Sequence, residues 1–186
     1  MNTLPQVGDL LIAPPCMTDD RFREAVILMT EINSNNCYGF CLNRHTEFSV
    51  NDCLAELDIS VNLPMPLYWG GPVNLNSVWM LHSDDWAIDS TVKTDSQWSL
   101  TSNEKMFWEI AEVDRPRQMR FCHGICTWRT AQLEGEIQGD WPWSKSSSWL
   151  TVTQPDQELV MELPVEDVWH YFIEHAGQTA VENWMV

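Results

Sequence analysis

Basic residues are scarce in this chain: 10 lysines and arginines stand against 27 aspartates and glutamates, for a formal net charge of −17. A surface so negative repels phosphate backbones and anionic membranes over a screening length of roughly 8 to 10 Å. Direct nucleic-acid binding is thereby disfavoured. Nor is there any apolar run of about eighteen residues, the length a membrane-spanning helix needs. No basic segment precedes the short apolar stretch Leu10 to Ala13, which Pro14 and Pro15 break, so no signal peptide is expected and the cytoplasm is the expected compartment. GxGxxG, GxxxxGK[ST] and GxSxG are all lacking. The Gly70-Gly71 pair leads into a proline and a strand rather than a helix N-terminus, so neither a phosphate cradle nor a nucleophile elbow is expected.

What is there suffices for a packed core. An apolar content of 44% in 186 residues fits one domain over 1–186. Six cysteines (16, 37, 41, 53, 122 and 126) in a chain read as cytosolic are expected to be thiols, mostly buried. The 11 tryptophans fall at no fixed period, which excludes a repeat architecture. Arg115, Arg117, Arg120 and Arg129 form the one local basic group. Salt bridges to acidic neighbours are their expected role, with an anion site as the sharper alternative.

Along the chain, Gly8 to Ala13 reads as a strand stopped by prolines. Ala25 to Met29 and Cys37 to Leu42 are continuous apolar runs separated by Asn33-Ser34-Asn35-Asn36, the signature of a hairpin buried on both faces. Ser49 to Asp52 predicts a capping box for a short helix with Val50, Cys53, Leu54 and Leu57 on its apolar side. Ser77 to His82 predicts a strand, and Asp84 to Leu100 short strands and turns. Thr101 to Glu104 predicts a second capping box, before a helix through Phe107 and Ile110. Met119 to Cys122 and Trp149 to Thr153 predict further strands, with Ala131 to Ile137 a short helix between them. Pro164 opens a final helix bearing Val168, Trp169 and Phe172, closed by Gly177. The absence of a strict βαβ rhythm points to an α+β fold.

Several residues could carry chemistry. Cys37-x3-Cys41 and Cys122-His123-x2-Cys126 fall within loose zinc spacing, but residues 37 and 41 would share one face of a strand and fit equally well as small buried groups. Of the thiols, Cys16 and Cys126 have the surroundings best suited to reactivity, though structural burial is the first reading of each. His82 ends an apolar strand and is read first as a hydrogen-bonded structural histidine, with base or ligand as alternatives. Glu134 and Glu136 sit two apart, a poor acid/base pair on a helix. Asn43 and Arg44 place polar donors at a sheet end, where they either bind a ligand or tie down loops.

Taken together, G-D-L-L-I-A-P-P-C-M-T-D-D-R-F (Gly8 to Phe22), V-I-L-M-T-E (Val26 to Glu31), G-F-C-L-N-R (Gly39 to Arg44), Y-W-G-G-P-V (Tyr68 to Val73), L-H-S (Leu81 to Ser83) and W-R-T-A-Q-L-E-G-E-I (Trp128 to Ile137) closely resemble the AlgH/YqgE family of small bacterial cytoplasmic proteins. The resemblance spans residues 8–141, with 142–186 divergent. Ile32, Asn36-Cys37, His45, Thr127 and Ala131 depart from the family pattern. The resemblance implies a bifurcated mixed or antiparallel sheet, partly closed as a small barrel and surrounded by helices. It implies no established reaction and no cofactor. Some members are labelled transcriptional regulators, but acidity and the lack of a helix-turn-helix pattern disfavour direct DNA reading here.

The expected function is therefore that of a non-enzymatic binding or regulatory domain acting through a protein or small-molecule partner. Its candidate site joins Asn43, Arg44, Gly70, Gly71, His82, Gln132 and Glu134. The alternative is a small enzyme or redox-responsive protein using a cysteine or His82.

Overall fold

The computed structural model describes residues 4–139 and 148–184, with side chains through residue 176. The strands are β1 (Leu10–Ile12), β2 (Val26–Ile32), β3 (Asn36–Cys41), β4 (His45–Ser49), β5 (Pro66–Trp69), β6 (Val73–Ser83), β7 (Val92–Lys93), β8 (Trp98–Thr101), β9 (Met119–Arg129) and β10 (Leu150–Val152). The helices are α1 (Val50–Glu56), α2 (Lys105–Glu112), α3 (Thr130–Gln138), α4 (Gln157–Glu162) and α5 (Val165–Trp184). The sheet runs β10-β1-β2-β3-β9-β6-β8-β7, antiparallel throughout, and curls into a half-barrel.

The fork lies on one edge of β9. Its residues Cys126 to Arg129 pair antiparallel with β3, while Phe121 to His123 pair in parallel with β5. Strand β4 extends that second branch. This is the bifurcated α+β sheet that the resemblance implies.

Alternation along the strands sorts side chains into separate cores. On β1 to β3, Leu10, Ile12, Leu28 and Phe40, with Leu42 just past the end of β3, face the core that holds Val168, Trp169 and Phe172 of α5. Leu11, Ile27, Met29, Cys37 and Cys41 face the other core, with Leu133 and Ile137 of α3. The hairpin is thus covered on both faces, which is why its sequence shows runs instead of alternation. A third core under α1 and α2 holds Val50, Leu54, Phe107 and Phe121.

Several expectations are corrected. Thr101 ends β8 and starts no helix; the α2 N-terminus is instead met by Asn103, whose Oδ1 accepts from Lys105 N at 2.9 Å. Leu57, expected on the apolar side of α1, is its exposed C-cap. Helix α5 runs through Gly177 to Trp184. Strand β9 extends seven residues past Cys122, to Arg129. Strand β4 and helix α4 were not anticipated, and the loop expected between Ile137 and Trp149, rich in Trp, Pro and Ser, lies largely outside the described residues.

The arginine group forms none of the expected salt bridges among the described residues. Among the described residues the ion pairs are Arg21–Asp19 and Arg23–Asp20. Arg120 is buried, donates to the carbonyls of Leu42 and Met161, and lies 4.5 Å from the Tyr68 ring centroid. It fastens the end of β3 to α4.

Candidate functional site

Asn43, Arg44, Gly70 and Gly71 do come together. Trp69 N donates to Arg44 O and Cys41 N to Gly70 O, at 2.9 and 2.8 Å. The side chains, however, are spent on the fold. Asn43 Oδ1 accepts from Val26 N at 2.9 Å and its Nδ2 donates to Glu24 O at 2.8 Å, holding Glu24 at a φ of 56°. Arg44 donates to Arg23 O at 2.7 Å and rests 5.5 Å from the Trp69 ring centroid. Both residues tie the 18–25 loop to the strand end.

Gly70 and Gly71 mark a crossing of main chains. A Cβ on Gly71 would stand 2.1 Å from Ile125 C and 2.2 Å from Cys126 N, and one on Gly70 would stand 2.5 Å from Gly124 O. The absence of side chains here is a packing requirement of the sheet fork.

His82 lies elsewhere. It pairs with Met119 on β9, while the glycine crossing sits at Ile125 and Cys126, roughly 20 Å along the strand at about 3.3 Å per residue. Its Nδ1–H donates to Ser83 O at 2.8 Å, leaving Nε2 to accept from Thr101 Oγ1 at 3.0 Å. Burial pushes its pKa down. It is a neutral structural imidazole with both nitrogens engaged.

Gln132 and Glu134 sit on α3, beyond the end of β3 opposite to Asn43. Glu134 is exposed, and Gln132 Nε2 donates to Glu136 Oε1 at 2.7 Å. Glu136, weighed in the sequence only as half of a poor acid/base pair, has an anchoring role instead. Its Oε2 accepts the indole N–H groups of Trp128 and Trp149 at 3.1 and 2.9 Å. The seven expected residues thus divide among three places, and none of them lines the hollow beside Trp79 or the groove between α1 and β6.

The cysteine spacings loosely suited to zinc do not converge on one place. Cys37 and Cys41 share one core, as their even separation predicts, but Cys122 faces the α5 core while Cys126 faces the α3 core. Gly124, at a φ of 73°, breaks the alternation between them. Among the described residues no group of three His, Cys, Asp or Glu is placed to hold a metal. Burial raises the pKa of Cys41, of Cys122 to about 12, and of Cys126 well above the usual thiol value. Cys126 is therefore protonated and inaccessible, in line with the structural burial expected first for it. Cys16 is exposed. Titration of the native protein with a neutral disulfide reagent should modify Cys16 first and leave Cys37, Cys41, Cys122 and Cys126 unmodified until denaturant is added.

A cleft of about 420 Å³ opens where two ladders are interrupted. Strand β2 shifts register between Met29 and Glu31, and β6 between Val73 and Val78, with Asn74 at a φ of 54°. Phe40, Trp79, Leu100 and Ile125 supply apolar walls; Thr30, Tyr38 and Asn74 add polar groups, and Glu31, Lys93 and Asp95 add charges. Phe40 and Trp79 pack with ring centroids 5.9 Å apart. Trp79 Nε1 is buried without a hydrogen-bond partner among the described residues. An apolar hollow with a few convergent polar groups is the usual form of a small-molecule site.

A family model described as AlgH-like matches residues 10–180. The match continues past Trp141, where the resemblance in sequence motifs fades. A UPF0301 protein of Alcanivorax borkumensis is 30% identical over 174 residues, covering 91% of this chain and 88% of that one. One of Methylococcus capsulatus is 31% identical over 174 residues, covering 91% of each. The solution structure of the AlgH protein from Pseudomonas aeruginosa superposes with a TM-score of 0.72 at 24% identity, covering 90% of this chain and 87% of that one. The crystal structure of protein DIP2367 from Corynebacterium diphtheriae gives a TM-score of 0.69, also at 24% identity, covering 91% and 86%. These two likenesses establish the shared fold.

Proposed function

The chain belongs to the AlgH-like family, and on that premise we propose that it is a non-enzymatic binding domain that holds a small molecule in the cleft between the interrupted ends of β2 and β6. The observation that carries this reading is Trp79, which lines the cleft and whose buried indole N–H has no hydrogen-bond partner among the described residues. A buried donor without an acceptor costs about 1 to 3 kcal/mol, and a ligand oxygen would relieve that cost.

The lining sets the ligand's character. Phe40, Trp79, Leu100 and Ile125 favour an apolar or aromatic body, and Trp79 asks for an acceptor such as an amide carbonyl. Glu31 and Asp95 outnumber Lys93 among the cleft's charges, and the chain's net charge of −17 opposes anions further. A neutral aromatic amide matches these features better than its carboxylate. The engagement of both His82 nitrogens and the protonation of the buried thiols support a binding role over a catalytic one.

Calorimetric titration with 3-phenylpropanamide and 3-phenylpropanoate tests the reading. The amide should bind more tightly than the carboxylate. Trp79→Phe, which keeps an aromatic wall and removes the donor, should weaken amide binding about ten-fold, the size of one lost hydrogen bond to a buried donor. Equal binding by the variant would sink the proposal.

A further inference from the structure

Phe48, Leu57 and Leu75 are 59%, 45% and 50% exposed, and all three line one groove of about 280 Å³ between α1 and the outward part of β6. They are three of the seven large apolar side chains exposed among the described residues. Scattered singly, such side chains are unremarkable; converged on a hollow, they mark an interaction surface.

Each is presented by an irregularity of the backbone. Phe48 lies in the register shift of β4 between His45 and Ser49, where Thr46 Oγ1 accepts from Phe48 N at 3.1 Å. Leu57 caps α1 just before Asp58, a non-glycine residue at a φ of 57°. Leu75 lies in the β6 interruption, next to Asn74 at a φ of 54° and packed so near Gly124 that a Cβ there would stand 3.0 Å from Leu75 Cδ2. Three separate departures from regular structure thus turn apolar groups outward onto one hollow.

The charges of the groove have one sign. Asp52 and Glu56, both exposed, are the acidic side chains among the groove's described lining residues, and His123 is half-buried. A second copy of this chain would set these carboxylates against their counterparts and a net charge of −17 against another. A partner with basic residues beside an apolar row meets the groove on both counts.

We propose that this groove docks a partner protein through an amphipathic helix whose apolar row enters between Phe48 and Leu75 and whose lysines or arginines face Asp52 and Glu56. The proposal is independent of the ligand cleft, since the two hollows share no lining residue.

The probe is a synthetic helical peptide with a leucine face flanked by lysines, titrated by fluorescence anisotropy at physiological salt. A matched peptide carries glutamate for lysine. The parent protein should bind the lysine peptide only. Phe48→Ser combined with Leu75→Ser, which leaves the net charge unchanged, should weaken binding about ten-fold or more, and Asp52→Asn with Glu56→Gln should weaken it several-fold. All these side chains are exposed, and a melting temperature within a few degrees of the parent's confirms that each variant is folded. Unchanged binding by the serine variant would reduce the attraction to diffuse charge and overturn the proposal. So would equal binding of the glutamate peptide, or self-association in sedimentation that the serine variant abolishes.

Discussion

Gly71→Ala should prevent the chain from reaching its folded state. The added methyl would stand 2.1 Å from Ile125 C, 2.2 Å from Cys126 N and 2.4 Å from Ile125 O, where carbon contacts normally settle at about 3.5 to 4.0 Å. All three obstacles are main chain, so no rotamer change relieves them. Strand β9 cannot withdraw either: Cys126 is paired with Gly39 on one edge and Ile125 with Val73 on the other. Moving it by more than an ångström would break the ladder at the fork of the sheet. The cost is on the order of the whole stability of a domain, about 5 to 15 kcal/mol. Amide dispersion in an NMR spectrum measures it directly; a dispersed spectrum with a melting temperature near the parent's would refute the close crossing.

Glu136→Ala should produce the second largest loss, about 3 to 5 kcal/mol, read as a lower urea midpoint at an unchanged slope. The carboxylate accepts from Trp128 Nε1, Trp149 Nε1 and Gln132 Nε2 at 3.1, 2.9 and 2.7 Å. Trp128 and Trp149 are buried and pack edge-to-face with centroids 6.1 Å apart. Removing their common acceptor strands two buried indole donors at once. Glu136→Gln keeps one acceptor oxygen and should recover about half of the loss. Equal stability of the alanine variant and the parent would contradict the anchoring role.

Features carried by local patterns were legible in the chain. The β2–β3 hairpin follows from two apolar runs around an asparagine-rich turn, and its burial on both faces from the missing alternation. The α1 capping box forms as expected, with Ser49 and Asp52 bonded reciprocally. The structural reading of His82 agrees with its hydrogen bonds. The same pattern misled at Thr101 to Glu104, because Thr101 is held in β8 opposite Met80 and its hydroxyl is committed to His82. Strand pairing there outweighs the local helix signal.

What depends on contacts between distant segments was not legible. Gly70-Gly71 reads in the sequence as a pair leading into a proline and a strand, yet its role is set by Gly124, Ile125 and Cys126, more than fifty residues away. Asn43 and Arg44 look available at a strand end until the 18–25 loop folds over them. The cleft beside Trp79 arises from interruptions in two strands, and no residue spacing announces a bulge. Glu136 carried a faint signal in the tryptophans around it; only the fold brings Trp128 and Trp149 to the same oxygen.

The central claim is that the cleft between β2 and β6 is completed by a ligand acceptor at Trp79. The most direct measurement is the indole N–H spectrum of ¹⁵N-labelled protein titrated with 3-phenylpropanamide, the Trp79 resonance being identified by its disappearance in Trp79→Phe. The account predicts a saturable downfield shift of that one indole proton as its hydrogen bond forms, with the Trp128 and Trp149 indoles, already bonded to Glu136, unmoved. A Trp79 resonance that stays in place while the amide binds would contradict it.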